Sequence, residues 1–306
     1  MVSVLLAVYR GEKYLSELID SILDQSVKDI KIIIRDDGSD DRSPEIITEY
    51  AAKFPDRISV IEGAPTGSAA ANFGELLKQC DDDYIMFADQ DDVWFKNKVR
   101  ITLDTMLKAE NGNVAVPVLV HSNLTVTDGN LKVIADSFFD YQKIIPDDLA
   151  LNRLLVQNYV TGCTVMINRA LKNKALPIPG GALMHDWWLA LVASAFGKIE
   201  TVRSPLIFYR QHGGNQVGAK AGRGAALVAR KLKTLGTVRE NYKATYRQAR
   251  LLLNAYGDIL PPDKCEMLTA YSEMEKAGRL KKIRIIKKYN FKKCTRLRVL
   301  GQYFLA

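Results

Sequence analysis

The chain has 306 residues, 47% of them hydrophobic, enough for one large core or one domain with a helical appendage. Its formal net charge of +8 is unevenly spread: from Ala219 onward 21 Lys and Arg face 6 Asp and Glu, whereas Met1 to Gly218 holds 22 against 29. An acidic body with a basic tail restricts any anionic surface partner to the tail. Four scattered cysteines without a CxxC pair argue against a disulfide framework or zinc site, and no run reaches the ~18 apolar residues of a membrane span.

"VSVLLAVY" reads as a strand and "EKYLSELIDSILDQS" as an amphipathic helix with Leu15, Leu18, Ile19 and Ile22 on one stripe. "IKIIIRDD", "RISVIEG" and "YIMFA" are further strands. Helices are expected after Pro44, around "AAANFGELLKQC" and over 96–108. This alternation predicts an α/β fold with a mostly parallel sheet and helices on both faces. Farther on, "VAVPVLVHSNLTVTDG" suggests one or two strands, with Pro117 pointing to an edge or bulge. "NYVTGCTVMINR" reads as a strand entered through a glycine turn and "HDWWLALVASAFG" as a helix. "KIETVRSPLIFYRQHGGNQVG" is a strand ending in a glycine-rich loop. Beyond Ala219 the pattern is helical, broken near Pro261 and Pro262. The start lacks the basic n-region and long apolar run of a signal sequence, so a cytoplasmic location is expected.

Ligands of parallel sheets bind beyond the carboxyl ends of the strands. Those ends are "VYRG", "DDGSDD" and "ADQDD", all polar or acidic. Asp89, Asp91 and Asp92 follow an apolar strand, and like charges so placed call for a hard divalent cation, Mg²⁺ or Mn²⁺, with open positions for phosphate oxygens. The plain alternative is an acidic loop capping the next helix. Asp36 and Asp37 sit in ordinary turn chemistry, although a carboxylate there can also accept from a nucleobase N–H or a ribose hydroxyl. Neither a dinucleotide glycine fingerprint nor a P-loop follows the first strand.

Taken together, "SVLLAVYRGEKYLSELIDSILDQS", "IIIRDDGSDDRS", "ANFG" and "MFADQDDVW" resemble the nucleotide-binding half of family 2 glycosyltransferases of the GT-A fold, over about Ser3 to Gly218. "DQDDVW", "GCTVMINR", "HDWW" and "YRQHGGNQVG" are most similar to the bacterial rhamnosyltransferase branch, which uses dTDP-L-rhamnose to build cell-wall or O-antigen polysaccharide. The resemblance implies a catalytic domain over 1–218 and a basic helical region over 219–306. It places Ala7 and Tyr9 beside base and ribose, Asp37 on the base N3–H, Asn72 in the nucleotide pocket and Asp89 on the ribose. Asp91 would bind the metal on the diphosphate, with Asp92 in support. Arg10 departs from the family, which usually has Asn there.

Inverting transfer is one displacement, needing a carboxylate to take the acceptor proton and a metal to offset charge on the leaving diphosphate. Asp186 in "MHDWWLALV" can be an N-cap; the resemblance makes it the base, with Trp187 or Trp188 offering a face to a sugar. His212 is expected on metal or phosphate in a loop closing over the diphosphate, and Arg210 on phosphate. Gly162 and Cys163 would floor the sugar and acceptor site; His121 and His185 are read as structural. The rival donors are a UDP-hexose or UDP-N-acetylhexosamine. A nucleotidyltransferase would want a basic glycine-rich loop that "VYRGEKY" does not supply.

From Arg279 onward ten Lys or Arg and no acid are interleaved with apolar residues such as Ile283, Ile285, Ile286 and Leu300. This reads as attachment to the inner membrane surface, or as a helix packed on the domain or on a second copy in a homodimer. No nucleic-acid module is recognisable. A lipid-linked glycan acceptor follows from the resemblance.

Overall fold

The computed structural model describes residues 1–212 and 235–305. Strand β1 (Val2–Val8), helix α1 (Leu15–Leu23), β2 (Ile30–Asp36), α2 (Ser43–Lys53), β3 (Ile58–Val60), α3 (Ala69–Lys78) and β4 (Tyr84–Asp89) follow the predicted alternation. β1 lies between β2 and β4, parallel to both, with β3 outside β2. Side chains alternate across a strand, and here they divide between two cores. Leu5, Ile85 and Phe87 pack with Phe73 and Leu76 of α3. Val4, Leu6 and Met86 pack with Leu15, Leu18 and Ile19 of α1. Helices therefore cover both faces, as the doubly apolar strands require.

The second half comprises β5 (Val93–Trp94), α4 (Lys98–Glu110), β6 (Val118–Thr127), β7 (Val133–Ala135), α5 (Phe138–Gln142), α6 (Leu151–Leu154), a 3₁₀ turn (Gly162–Thr164), β8 (Met166–Asn168), α7 (Arg169–Ala175), α8 (His185–Phe196) and β9 (Lys198–Arg210). The sheet order is β3-β2-β1-β4-β8-β6-β9-β5, with β7 on β6. β8 runs antiparallel to both β4 and β6, so the sheet is mixed beyond its parallel half. Of the edge or bulge that Pro117 suggested, β6 is not an edge strand. It is buried along its length between β8 and β9. Pro117 precedes it, needs no donor there, and accepts from Lys198 N at 2.9 Å. The irregularity falls instead at Ser122–Thr125, where the register with β9 shifts.

Helices α9 (Leu235–Tyr256), α10 (Pro262–Glu273), α11 (Arg279–Tyr289) and α12 (Arg296–Leu305) follow. Pro262 opens α10, which explains the break the sequence showed. Tyr242, Tyr246, Leu252 and Tyr256 of α9 enter the same core as Phe73 and Trp188. Polar ties reinforce this: Leu183 N donates to Gln248 Oε1 at 2.8 Å, and Tyr256 Oη to Lys174 O at 2.6 Å. The predicted boundary at 218/219 lies outside the described residues, but α9 to α11 close the core over α8.

Candidate active site

The carboxyl ends of the parallel strands meet at Ala7, which stands in register with both Arg35 on β2 and Asp89 on β4. Tyr9, 50% exposed, follows β1. Its backbone is clamped by the Gln90 amide, which accepts from Tyr9 N at 2.7 Å and donates to Tyr9 O at 2.8 Å. Arg10 has φ +53°, the left-handed region that asparagine tolerates better than most residues. A bidentate pair with Asp40 (2.6 and 2.7 Å) holds Arg10 in place of that tolerance.

The two acids of "RDDGS" take different parts. Asp36 caps the turn, accepting from Gly38 N and Ser39 N. Asp37 points inward and accepts from Thr66 N (2.6 Å), Thr66 Oγ1 (2.9 Å), Arg35 Nη1 (3.0 Å) and Gly67 N (2.9 Å). Burial alone would push its carboxyl up, but these donors outweigh it and hold the group below its ordinary range. Asn72 belongs to the same knot, with Arg35 Nη1 2.8 Å from its Oδ1. A cleft of about 310 Å³ lined by Arg35, Ile61, Gly63, Ala64, Thr66 and Glu75 opens beside it.

At the end of β4, Asp91 Oδ2 lies 2.7 Å from His212 Nε2, so the two residues assigned to one metal do meet. The ligand atoms of Asp89, Asp92 and Cys163 lie within 4.8 Å of one another. Asp92 is fully enclosed: it accepts a long bond from Arg210 N at 3.3 Å and bonds with the Cys163 thiol, while its Oδ2 has no partner among the described residues. A divalent cation that must keep positions open for phosphate suits the accessible Asp91–His212 side rather than an enclosed carboxyl. The Cys163 thiol is a poor partner for such a hard ion, and burial pushes its pKa well up. Burial, then the charges of Asp91 and Asp186, push Asp89 up to about 7. Asp92 too is raised well above the ordinary carboxylate range, chiefly by burial and then by Asp91 and Asp89.

Across this cluster stands Asp186, in the first turn of α8 but not its N-cap, which is Met184. Its Oδ1 accepts from Trp187 N at 2.6 Å, and Asn158 and the Gly162 N–H also bond to it. Burial nevertheless pushes its carboxyl up to about 6. A Cβ at Gly162 would be tight against His185 Nε2 at 3.2 Å and in contact with Asp186 Oδ2 at 3.5 Å. Trp187 is half-buried beside Asp186, with Nε1 donating to Leu154 O, whereas Trp188 is the core member of the pair.

Arg210 has partners other than the phosphate expected of it. Its buried guanidinium donates to Asp91 O (2.9 Å), Gly129 O (2.8 Å) and Glu17, over the ring of Tyr14. It thereby holds the acidic loop against α1. The glycine-rich stretch 213–218 lies outside the described residues. His121 and His185 are enclosed, and burial lowers them to about 4 and about 3, consistent with neutral structural rings. Sequence reading missed Arg35, Thr66, Gln90, Asn158 and Lys98. Arg35 and Gln90 stand inside the quoted acidic motifs, and Lys98 is four residues beyond the tryptophan of "DQDDVW", so these three carried a positional hint.

The family description "Glycosyl transferase family 2" matches residues 3–174, more than half of the chain. The chain belongs to glycosyl transferase family 2. Among its relatives, dTDP-rhamnosyl transferase RfbG of Shigella flexneri is 30% identical over 270 residues, 83% of this chain and 85% of that protein. In fold, solved neighbours include S. aureus TarS 1-349 in complex with UDP-GlcNAc. It superposes with a TM-score of 0.61 at 16% identity, covering 94% of this chain and 80% of the TarS 1-349 chain. The mannosyltransferase PcManGT from Pyrobaculum calidifontis, in complex with GDP-Man and Mn²⁺, gives 0.55 at 14% identity, covering 94% and 73%. The fold is thus that of a GT-A glycosyltransferase, and the chain is a glycosyltransferase.

Proposed function

We propose that this enzyme is a metal-dependent inverting transferase that moves L-rhamnose from dTDP-L-rhamnose to a lipid-linked bacterial glycan. The observation that carries the donor assignment is the 30% identity, across most of both chains, to a dTDP-rhamnosyl transferase. In this reading the Asp37–Arg35–Asn72 knot shapes the base pocket, and Ala7, Tyr9 and Asp89 line the ribose. Asp91 and His212 hold Mn²⁺ or Mg²⁺. When bound, that cation supplies positive charge against the departing diphosphate. Arg210 positions the peptide of Asp91 rather than touching phosphate. Asp186 Oδ2 takes the acceptor hydroxyl proton as the oxygen attacks the anomeric carbon, and a carboxyl raised to about 6 is a competent base at neutral pH. Trp187, Gly162 and Cys163 border the acceptor. A UDP-sugar donor is the second reading, favoured by the fold shared with the UDP-GlcNAc complex of TarS.

A thermal-shift and turnover screen of dTDP-L-rhamnose, UDP-glucose and UDP-N-acetylglucosamine, with and without Mn²⁺, separates the two. The expected result is Mn²⁺-dependent stabilisation and donor consumption with dTDP-L-rhamnose. Consumption of a UDP-sugar alone would replace the donor assignment.

The tail reading changes in kind. Among the described residues no helix is long and apolar enough to cross a membrane. On α11, Ile286 is buried in the core while Leu280, Lys281, Arg284, Lys287 and Lys288 form one exposed face. Lys281 and Lys288 pair with Glu273 and Glu266. The apolar side is therefore occupied, and the proposed attachment to an anionic bilayer is electrostatic adsorption. Arg284→Glu with Lys287→Glu should weaken co-sedimentation with phosphatidylglycerol vesicles, most at low salt, without unfolding. Unchanged co-sedimentation would remove α11 as the contact.

A further inference from the structure

We propose that Lys98 is a positioning residue for transfer: its buried amino group ties the turn that holds Asp186 to the strand end that carries Asp89 and Asp92. The proposal rests on the reading of Asp186 as base.

Lys98 is the first residue of α4 and is fully enclosed, unusual for a side chain that normally keeps its head in water. Its Nζ donates to Cys163 O at 2.8 Å and sits 3.2 Å from the centre of the Trp94 ring. Asp92 and Asp89 are its acidic neighbours, acting against the burial that draws its pKa down to about 7. Cys163 lies inside the 3₁₀ turn, and the N–H of Gly162 in that turn bonds to Asp186. The turn is closed by Thr164 N on Thr161 O (2.9 Å) and Val165 N on Gly162 O (3.0 Å), so a pull at Cys163 O is transmitted to Gly162. On the other side, Trp94 is held by Ser21 Oγ at 3.0 Å and by β5 pairing with β9. One amino group thus spans the donor-side strand end and the base-side turn, with an aromatic wall behind it. Enclosing it is costly unless its bonds are made, and the bond it makes sets the distance between the two halves of the site.

The test is Lys98→Met, which keeps the length and apolar stem but removes the donor, beside Lys98→Gln, which keeps an N–H. Measured quantities are kcat with the donor that the wild type consumes, and the calorimetric Kd of dTDP and of UDP with Mn²⁺. A misplacement on the order of 1 Å at a reacting group is worth about 10²-fold, so kcat of Lys98→Met should fall by about that factor. Nucleotide Kd should stay within about threefold of wild type, and Lys98→Gln should recover part of kcat. Wild-type kcat in Lys98→Met would overturn the proposal. So would parallel loss of kcat and nucleotide binding, which means general structural support. If Lys98→Met does not fold, Lys98→Gln decides by the same split. Asp186→Asn run alongside keeps the readings apart, since wild-type turnover there refutes the base itself.

Discussion

Asp186→Asn is expected to lower kcat by about 10²–10⁴-fold, the range a positioned general base supplies, and to leave nucleotide binding intact. The amide is isosteric and keeps an oxygen to accept from Trp187 N, so the first turn of α8 should stay in place. What it lacks is basicity. The sign of the pH dependence follows from the same group. Burial raises the Asp186 carboxyl to about 6, and only its ionised form accepts the acceptor proton. Wild-type kcat should therefore be flat above that value and fall as pH drops through about 6, where an unperturbed aspartate would hold activity to about 4. Wild-type turnover in Asp186→Asn, or activity flat down to pH 4.5, would strike Asp186 from the role.

The second large effect is expected at Asp91. Asp91→Ala should remove the Mn²⁺-dependent part of nucleotide diphosphate binding, weakening calorimetric affinity by about 10²-fold or more, since a ligand rather than its supporting partner is deleted. Asp91 bonds His212 at 2.7 Å, so the deletion also frees that imidazole from its orienting carboxylate. The peptide carbonyl of Asp91 still accepts from Arg210, and the loop should keep its course. Binding that persists at wild-type strength with Mn²⁺ present would place the metal elsewhere. Asp92→Asn is the informative contrast: its side chain is fully enclosed, outside the Asp91–His212 pair, and the near-isosteric amide should disturb metal binding far less.

Much of this arrangement was legible in advance because it is local. β-branched runs followed by polar punctuation identified β1, β2 and β4, and the acids beyond them marked the carboxyl edge where a parallel sheet binds ligands. The stripe Leu15, Leu18, Ile19, Ile22 identified α1 and all four are buried. Pro117 misled because a proline's effect depends on whether its missing N–H faces a partner strand, and β6 begins one residue later. Arg210 read as a phosphate contact because an arginine near a glycine-rich loop is a free cation on paper. In the fold its fork is met by Glu17 and two carbonyls.

By itself the sequence determined the kinds of groups at each strand end and the order in which the elements alternate, since both follow from short-range periodicity and turn chemistry. Tertiary structure decided which of those groups share a charge environment and which are spent on holding others. Asp89, Asp91 and Asp92 are near neighbours in the chain, yet one pairs with His212, one is enclosed beneath Arg210, and one feels Asp186 from another helix. Burial and hydrogen bonding set their protonation and reach, and both depend on contacts made only when β9, α8 and the Gly162–Thr164 turn close around β4.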